Sequence, residues 1–399
     1  MRVALLSRSA HPLHPPGGLE RAVYHLAKHL RAAGVETILL TRPATEGGGA
    51  RFPGEVREVP YGPKGAAHGG VLDRTIRYPR FAERLGGLAA DLVRQGRVDV
   101  VHAQGLTALG YGRQRAREAG LRAPLVMNPQ GMEEHKTRGL KRLALTRLRL
   151  LSREAARLAD RVIATDEATR AEVPRLLGVS AANVVVLPNG IDDDEIRSAT
   201  PRDPGAVVRA AFPALEGAFP VFLSVGRIEG YKGFAETLQA LFQAEAALPK
   251  SWAWVVVGEG PARETLGRQA GGSAHVHVVG RVSEGLLHAL YARADVFVHA
   301  TRFEGSSLVT LEAMAHALPV VATRAGGIPD KVSRDSGRLV EPGDVSGLGQ
   351  ALLELSADQA LRQSLGRAGR ERALRDFAWP SLARRTIALY ETLLRLQRS

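Results

Sequence analysis

The sequence predicts an α/β protein made of two doubly wound parallel-sheet domains in tandem. Three observations predict it. Short runs rich in Val, Leu and Ile alternate with segments of helical periodicity along most of the 399 residues. These runs are nearly continuous in apolar residues, as strands covered on both faces are. The pattern restarts near residue 220, and a chain of this length holds roughly two domains of 150–200 residues.

Taken in order, the first-half strands are expected at Val3–Leu6, Thr37–Leu40, Val98–His102, Leu125–Met127, Arg161–Ala164 and Val184–Leu187. Between the first two, Leu19, Val23, Leu26, Ala27 and Leu30 recur at helical spacing. Pro43–Gly70 reads as loop, with Gly47-Gly-Gly49 and Gly62-Pro-Lys-Gly65. The turn signal Pro188-Asn-Gly190, followed by Pro201, Pro204, Gly205 and Pro213, marks the join. The expected domains are therefore residues 1–200 and 201–380. Second-half strands are expected at Val221–Val225, Trp254–Val257, Val276–Val279, Val296–Val298 and Val320–Ala322, with a helical stripe of Phe234, Leu238, Leu241 and Phe242 after the first. A last helix, about Ser381–Leu396, follows Trp379-Pro380, and residues 381–399 are expected to return to the first domain. Two such domains face each other across a cleft lined by the carboxyl ends of both sheets, where these folds take ligands.

Composition narrows the function. There is no cysteine, which excludes disulfide scaffolds, Cys-ligated zinc, iron–sulfur clusters and thiol nucleophiles. No apolar run is long enough to span a membrane, and Met1–Arg8 is too soon interrupted by charge for a signal peptide. A cytoplasmic protein is expected. The formal net charge is +13, and 47 of the 54 basic residues are Arg, whose planar fork suits phosphate. Nucleotide, nucleic acid and anionic membrane all fit that charge.

Two segments carry the strongest chemistry. In Phe303-Glu-Gly-Ser-Ser-Leu-Val-Thr-Leu-Glu-Ala-Met314, a helix is expected to begin near Ser306, so that the backbone N–H groups of Ser306, Ser307 and Leu308 form an anion site. Glu312, eight residues after Glu304, could accept two hydrogen bonds from a vicinal diol such as ribose. The plainer alternative is a capped helix with two surface glutamates. In Val225-Gly-Arg-Ile-Glu-Gly-Tyr-Lys-Gly233, Gly226 permits a tight turn after a strand, and Arg227 and Lys232 could clamp a diphosphate. The plainer alternative for Arg227 is a surface ion pair. Pro15-Pro-Gly-Gly-Leu-Glu20 places Gly17 and Gly18 between strand and helix, where backbone can approach a phosphate or sugar.

These segments resemble glycosyltransferase family 4, the large retaining group with the GT-B fold, along nearly the whole chain. The resemblance rests on Gly17-Gly18, Pro188-Asn-Gly-Ile-Asp192, Gly226-Arg227 with Lys232-Gly233, Val257-Gly-Glu-Gly260, Gly280-Arg-Val282, Glu304-Gly with Glu312-Ala-Met, and Pro319-Val-Val-Ala322 with Gly326-Gly327. It implies that Arg227 and Lys232 bind the donor's diphosphate and that Glu312 holds the ribose. Arg281 and Val282 would meet the base through backbone groups. Glu304 and the amides of Ser306–Leu308 would grip the transferred sugar, and Gly18 would lie against the donor phosphates. The expected catalytic residues are Glu304, Arg227 and Lys232. The expected reaction is retaining transfer of a hexose from a UDP- or GDP-sugar to a carbohydrate, lipid-linked or small-molecule hydroxyl, with no cofactor and no metal.

Two positions depart from the family pattern. Gln130, in Asn128-Pro-Gln-Gly-Met-Glu133, stands where a His is usual, and Ser306 replaces the usual aromatic. An amide can bond a sugar but cannot titrate. His102 is either an acceptor contact or a core histidine. Asp192-Asp-Asp194 contains an Asp-x-Asp metal pattern, yet after Pro-Asn-Gly it reads as a helix cap. Arg138, Arg142, Arg149, Arg153 and Arg157 fall on one helical face opposite Leu140, Ala144, Leu148, Leu151 and Ala155. That stripe is either a solvated face or a contact for anionic membrane or a phosphorylated acceptor. The rival functions are a GT-B epimerase or phosphorylase and a basic nucleic-acid-binding protein. Against the last, aromatics are only 5% and no nucleic-acid-binding signature is present.

Overall fold

The computed structural model describes residues 1–15, 17–45, 52–62, 73–129, 132, 135, 139 and 143–397. The chain divides into two units, Met1–Asn189 together with Trp379–Ser399, and Gly190–Ala378. In the first unit the strands are β1 (Arg2–Leu6), β2 (Glu36–Thr41), β3 (Glu55–Glu58), β4 (Val100–Gln104), β5 (Leu125–Asn128), β6 (Arg161–Ala164) and β7 (Val184–Val186). They form one parallel sheet in the order β3-β2-β1-β4-β5-β6-β7. The helices between them are α1 (Gly18–Ala32), α2 (Tyr78–Arg94), α3 (Ala108–Arg117), α4 (Thr146–Leu158) and α5 (Glu167–Leu177). Successive side chains of a strand point to opposite faces. Ala4 and Leu6 therefore join Phe81, Leu85 and Tyr111 on one side, while Val3 and Leu5 join Val23, Leu26 and Leu30 on the other.

The second unit begins with α6 (Asp193–Ala199) and α7 (Pro204–Ala211), then β8 (Val221–Val225), α8 (Phe234–Ala244), β9 (Ala253–Val257), α9 (Arg263–Gln269), β10 (Val276–Gly280) and α10 (Glu284–Arg293). It continues with β11 (Val296–His299), α11 (Leu308–Ala315), β12 (Val320–Thr323), α12 (Ile328–Lys331), β13 (Gly337–Val340), α13 (Val345–Ala357) and α14 (Gln359–Asp376). The sheet is again parallel, in the order β10-β9-β8-β11-β12-β13. A buried chain of bonds ties its centre. Trp254 Nε1 donates to Ser224 Oγ at 3.0 Å, and Ser224 Oγ donates to the Val298 carbonyl at 2.8 Å.

Two strands were not expected from the sequence. β3 lies inside the stretch Pro43–Gly70 that reads as loop, and β13 carries only Leu339 and Val340 as apolar side chains. Both are sheet edges. An edge strand is only partly covered and needs no continuous apolar run, so Glu55-Val-Arg-Glu58 can pair without one.

The division also falls at 189/190, earlier than the expected 200/201. Ile196 and Val208 share a core with Val221 and Leu223, so α6 and α7 belong to the second unit. The turn Pro188-Asn-Gly190 is itself the boundary. Asp192 caps α6, its Oδ1 accepting from the Glu195 N–H at 3.3 Å. Asp193 and Asp194 both pair with Arg197.

The last helix, α15 (Trp379–Leu396), belongs to the first unit, where Leu382, Ala383, Tyr390 and Leu393 pack with Val3, Leu5 and Leu26. It starts two residues before the expected Ser381, because Pro380 in a first turn lacks only an N–H that would have no helical partner there. Its buried Tyr390 hydroxyl sits 2.5 Å from Nδ1 of the buried His102. Burial holds the His102 ring neutral, its pKa pushed down to about 4. Tyr390→Phe removes this partner, so it should lower the unfolding free energy by about 1–3 kcal/mol. A urea midpoint unchanged from wild type would show that the bond contributes nothing.

Candidate active site

Strand order decides where the second unit can bind a ligand. From β8 the chain steps outward through β9 to β10, then crosses to β11 on the other side of β8. The loops leaving β8 and β11 therefore part in opposite directions, and a crevice opens beyond their carboxyl ends. Both motif segments lie on these two loops. The first ends at Gly233, whose φ of +76° and close approach to the Ala300 carbonyl leave no room for a Cβ. That contact locks the end of the β8 loop against the strand end of β11.

Beside the crevice is a cavity of about 410 Å³ lined by Gly226, Arg227, Glu259, Gly260, Arg281 and Val282 among others. It brings together four residues expected at the donor site: Gly226, Arg227, Arg281 and Val282. Arg227 is 74% exposed, and its Nε lies 2.9 Å from Glu229 Oε1. This is the surface ion pair named as the plainer alternative. Such a pair is worth about 0–1 kcal/mol, so an incoming anion can replace Glu229 at small cost.

Lys232 and Glu304 meet directly rather than at the cavity. Lys232 Nζ donates to Glu304 Oε2 at 2.8 Å, and His299 Nε2 lies 2.8 Å from the same oxygen. Glu304 Oε1 accepts from the Gly305 N–H at 3.1 Å. Burial alone would raise the Glu304 pKa, but the His299 hydrogen bond and the charges of His299 and Lys232 outweigh it and bring it to about 2. Glu304 is thus a fixed carboxylate that only accepts hydrogen bonds. His299 is 4% exposed at the end of β11 and was not singled out from the sequence. The available signal was a His closing the otherwise apolar strand Val296-Phe-Val-His299.

The helix expected near Ser306 begins two residues later, at Leu308. Ser307 is its N-cap, and Ser307 Oγ bonds Thr310 Oγ1 at 2.8 Å. Ser306 and Ser307 consequently belong to the loop, and only Leu308 of the three lies in the first turn. The Ser306 hydroxyl is buried and has no hydrogen-bond partner among the described residues. Glu312 is on α11, where Oε2 accepts from the Tyr291 hydroxyl at 3.0 Å. Tyr291 of α10 was also missed; nothing in the sequence separates a buried tyrosine that orients a carboxylate from one that fills a core.

In the first unit, Gly17 is the extended N-cap of α1 and Gly18 its first residue, with open space where a Cβ of Gly18 would lie. His102 is buried, its Nδ1 against the Tyr390 hydroxyl of α15. Gln130, Arg138 and Arg142 lie outside the described residues. Two of the remaining arginines are held at the end of α5. Arg153 Nε donates to the Leu176 carbonyl at 2.9 Å and Arg157 Nε to the Gly178 carbonyl at 3.3 Å. Carbonyls at the end of α5 attract cations, which explains why both side chains lie against it, Arg153 half-buried and Arg157 exposed.

The Glu304 geometry has a measurable consequence. Its folded pKa lies below that of an unfolded glutamate, about 4.3, so its stabilisation is present above that value and is lost as pH falls towards 2. Glu304→Gln should be less stable than wild type by about 3 kcal/mol at pH 7, and the gap should close as pH drops from 5 to about 2. A gap that does not change with pH would contradict the assignment.

The comparisons agree with this architecture. Residues 16–195 match the family model described as Glycosyltransferase Family 4, and residues 219–358 match Glycosyl transferases group 1. The chain is 29% identical to the glycogen synthase of Mycobacterium tuberculosis over 98% of its own length and 94% of that protein. It is 34% identical to a GDP-mannose-dependent alpha-(1-6)-phosphatidylinositol monomannoside mannosyltransferase of Mycolicibacterium smegmatis, over 59% of this chain and 62% of that one. Among solved structures, the sucrose-phosphate synthase of Thermosynechococcus elongatus superposes with a TM-score of 0.75 at 22% identity, covering 99% of both chains. The fold is GT-B, and this chain, a hexosyltransferase, belongs to glycosyltransferase family 4.

Proposed function

We propose that the protein transfers a hexose, with retention at the anomeric carbon, from a UDP- or GDP-sugar to a carbohydrate, lipid-linked or small-molecule hydroxyl in the cytoplasm. The observation that carries this reading is the pairing of a fixed carboxylate, Glu304, with Lys232 and His299 next to the cavity of Arg227, Arg281 and Val282. In this reading the base occupies the cavity, Glu312 takes the ribose hydroxyls, and Arg227 leaves Glu229 for the diphosphate. Lys232 faces the same phosphates while staying beside Glu304. The Glu304 carboxylate accepts hydrogen bonds from the transferred sugar, and the amides at Ser306–Leu308 add donors. As the bond from the anomeric carbon to the phosphate oxygen breaks, negative charge grows on the leaving group. Preplaced positive charge there lowers the barrier more than it lowers the ground state. The acceptor hydroxyl attacks from the face the phosphate leaves and gives its proton to the departing phosphate oxygen. One relative's name supports a GDP-sugar among these donors, since that protein is GDP-mannose-dependent.

The direct test is release of nucleoside diphosphate from UDP- and GDP-sugars on addition of sugar acceptors, with and without EDTA. Release that survives EDTA is expected, because Arg227 and Lys232 supply the cationic charge. Loss with chelator, restored by Mg²⁺, would overturn that part. Arg227→Ala should lower kcat by about 10²–10³, typical of one preplaced charge. Its exposed ion pair predicts a melting temperature within about 2 °C of wild type. An unchanged kcat/KM would refute the role.

A second reading, peripheral contact with anionic membrane, now rests on different residues. Leu150 of α4 and Leu143 just before it are 59% and 72% exposed, one heptad apart, beside Arg147 and Arg149. Exposed leucines flanked by arginine suit the headgroup boundary. No described helix is long and apolar enough to cross a membrane. Sedimentation with anionic but not neutral liposomes at low salt is expected, reversed by high salt and abolished by Leu143→Glu with Leu150→Glu. Wild-type protein that ignores anionic liposomes at low salt would exclude it.

A further inference from the structure

We propose that the outer face of α8 is a second carbohydrate site, taking a neutral oligosaccharide away from the donor crevice; this rests on the sugar-transfer reading above. A groove of about 760 Å³ runs between α8 and α9, within the range of ligand sites. Glu236, Gln239 and Gln243 stand at helical spacing i, i+3 and i+7, so one face of α8 lines it, and Gln269 closes α9 on the opposite wall.

The lining selects the ligand class. The three glutamines are exposed, and none has a hydrogen-bond partner among the described residues. Each amide offers donors and an acceptor, which suits the hydroxyls of a sugar. Phe242 is 37% exposed beside them, and an aromatic face is a platform for the apolar side of a pyranose ring. The charged lining residues are Glu236 and Arg302, which pair at 2.7 Å and cancel. No uncompensated cation remains for a phosphate, in a chain whose net charge is +13. From Glu236 to Gln243 the helix advances about 10 Å, enough for two sugar rings.

The groove also abuts the catalytic loops from behind. Gly230 precedes Lys232 by two residues and Arg302 precedes Glu304 by two, and both line the groove. The Arg302 N–H donates to the Tyr231 carbonyl at 2.8 Å, joining the two loops there. A glycan seated on α8 therefore lies against the back of the segments whose front holds Lys232 and Glu304.

The test is isothermal titration of the full chain with maltoheptaose and with α-1,6-mannotetraose, alongside titration with UDP and GDP. At least one neutral oligosaccharide should bind with Kd near 1 mM, and Phe242→Ala should weaken it about tenfold or more. Gln239→Ala with Gln243→Ala, both on exposed positions, should weaken it likewise. Neither variant should change nucleotide affinity. Nucleotide binding without any oligosaccharide binding would overturn the site and leave the transfer reading standing. Oligosaccharide binding unaffected by both variants would also overturn it. Failure to bind either nucleotide would count against the transfer reading itself.

Discussion

Glu304 Oε2 receives both the Lys232 ammonium and the His299 ring, and this three-residue knot joins the loops that leave β8 and β11. Parallel strands at a switch point send their loops apart, so nothing in the sheet itself keeps those loops in register. The knot does. A carboxylate this enclosed is costly unless its charge is compensated and its lone pairs are used. Here one oxygen takes two donors and the other takes the Gly305 N–H. The surrounding backbone is fitted to it. Gly326, with φ of +51°, lies so close to the Glu304 carbonyl that a Cβ would overlap it. Thr323 Oγ1 donates to the Thr301 carbonyl, and Thr301 Oγ1 in turn donates to the Phe303 carbonyl at 2.7 Å. The loops after β8 and β11 thus meet at the Glu304 carboxylate, and the loop after β12 packs against its backbone.

The two cations expected to serve the diphosphate are held very differently. Lys232 is mostly buried, and its partner Glu304 is equally enclosed, so the pair is part of the fold as well as of the site. Arg227 stands in solvent with Glu229 and is easily exchanged. One charge is fixed in place and the other is free to follow a ligand. Elsewhere several arginines serve the fold. Arg113 bridges Glu83 and Glu154, Arg115 pairs with Asp160, and Arg153 and Arg157 sit on the end of α5. Net charge alone is therefore a poor guide to a nucleic-acid or membrane surface.

What could be read from the sequence follows what burial imposes on it. The central strands need apolar side chains on both faces, and Val3–Leu6, Val221–Val225 and Val320–Ala322 show them plainly. β3 and β13 are edges, half-solvated, and their residues carry no such mark. α11 starts two residues beyond its expected place because Ser306 and Ser307 are equally suited to an N-cap by sequence. Arg227, Lys232, Glu304 and Glu312 stand out as candidates through their places beside glycines and strand ends together with the family resemblance. His299 and Tyr291 do not. Tyr291 touches a carboxylate on another helix and His299 one in the loop that follows its strand, and such contacts are fixed by packing.

The central claim is that Lys232 and Glu304 act as one device. A double-mutant cycle of Lys232→Met and Glu304→Gln, scored as kcat/KM for nucleoside diphosphate release, tests it most directly. Strong non-additivity is expected, with the double variant no more impaired than the worse single one. Losses that simply add, to within about 0.5 kcal/mol, would contradict it.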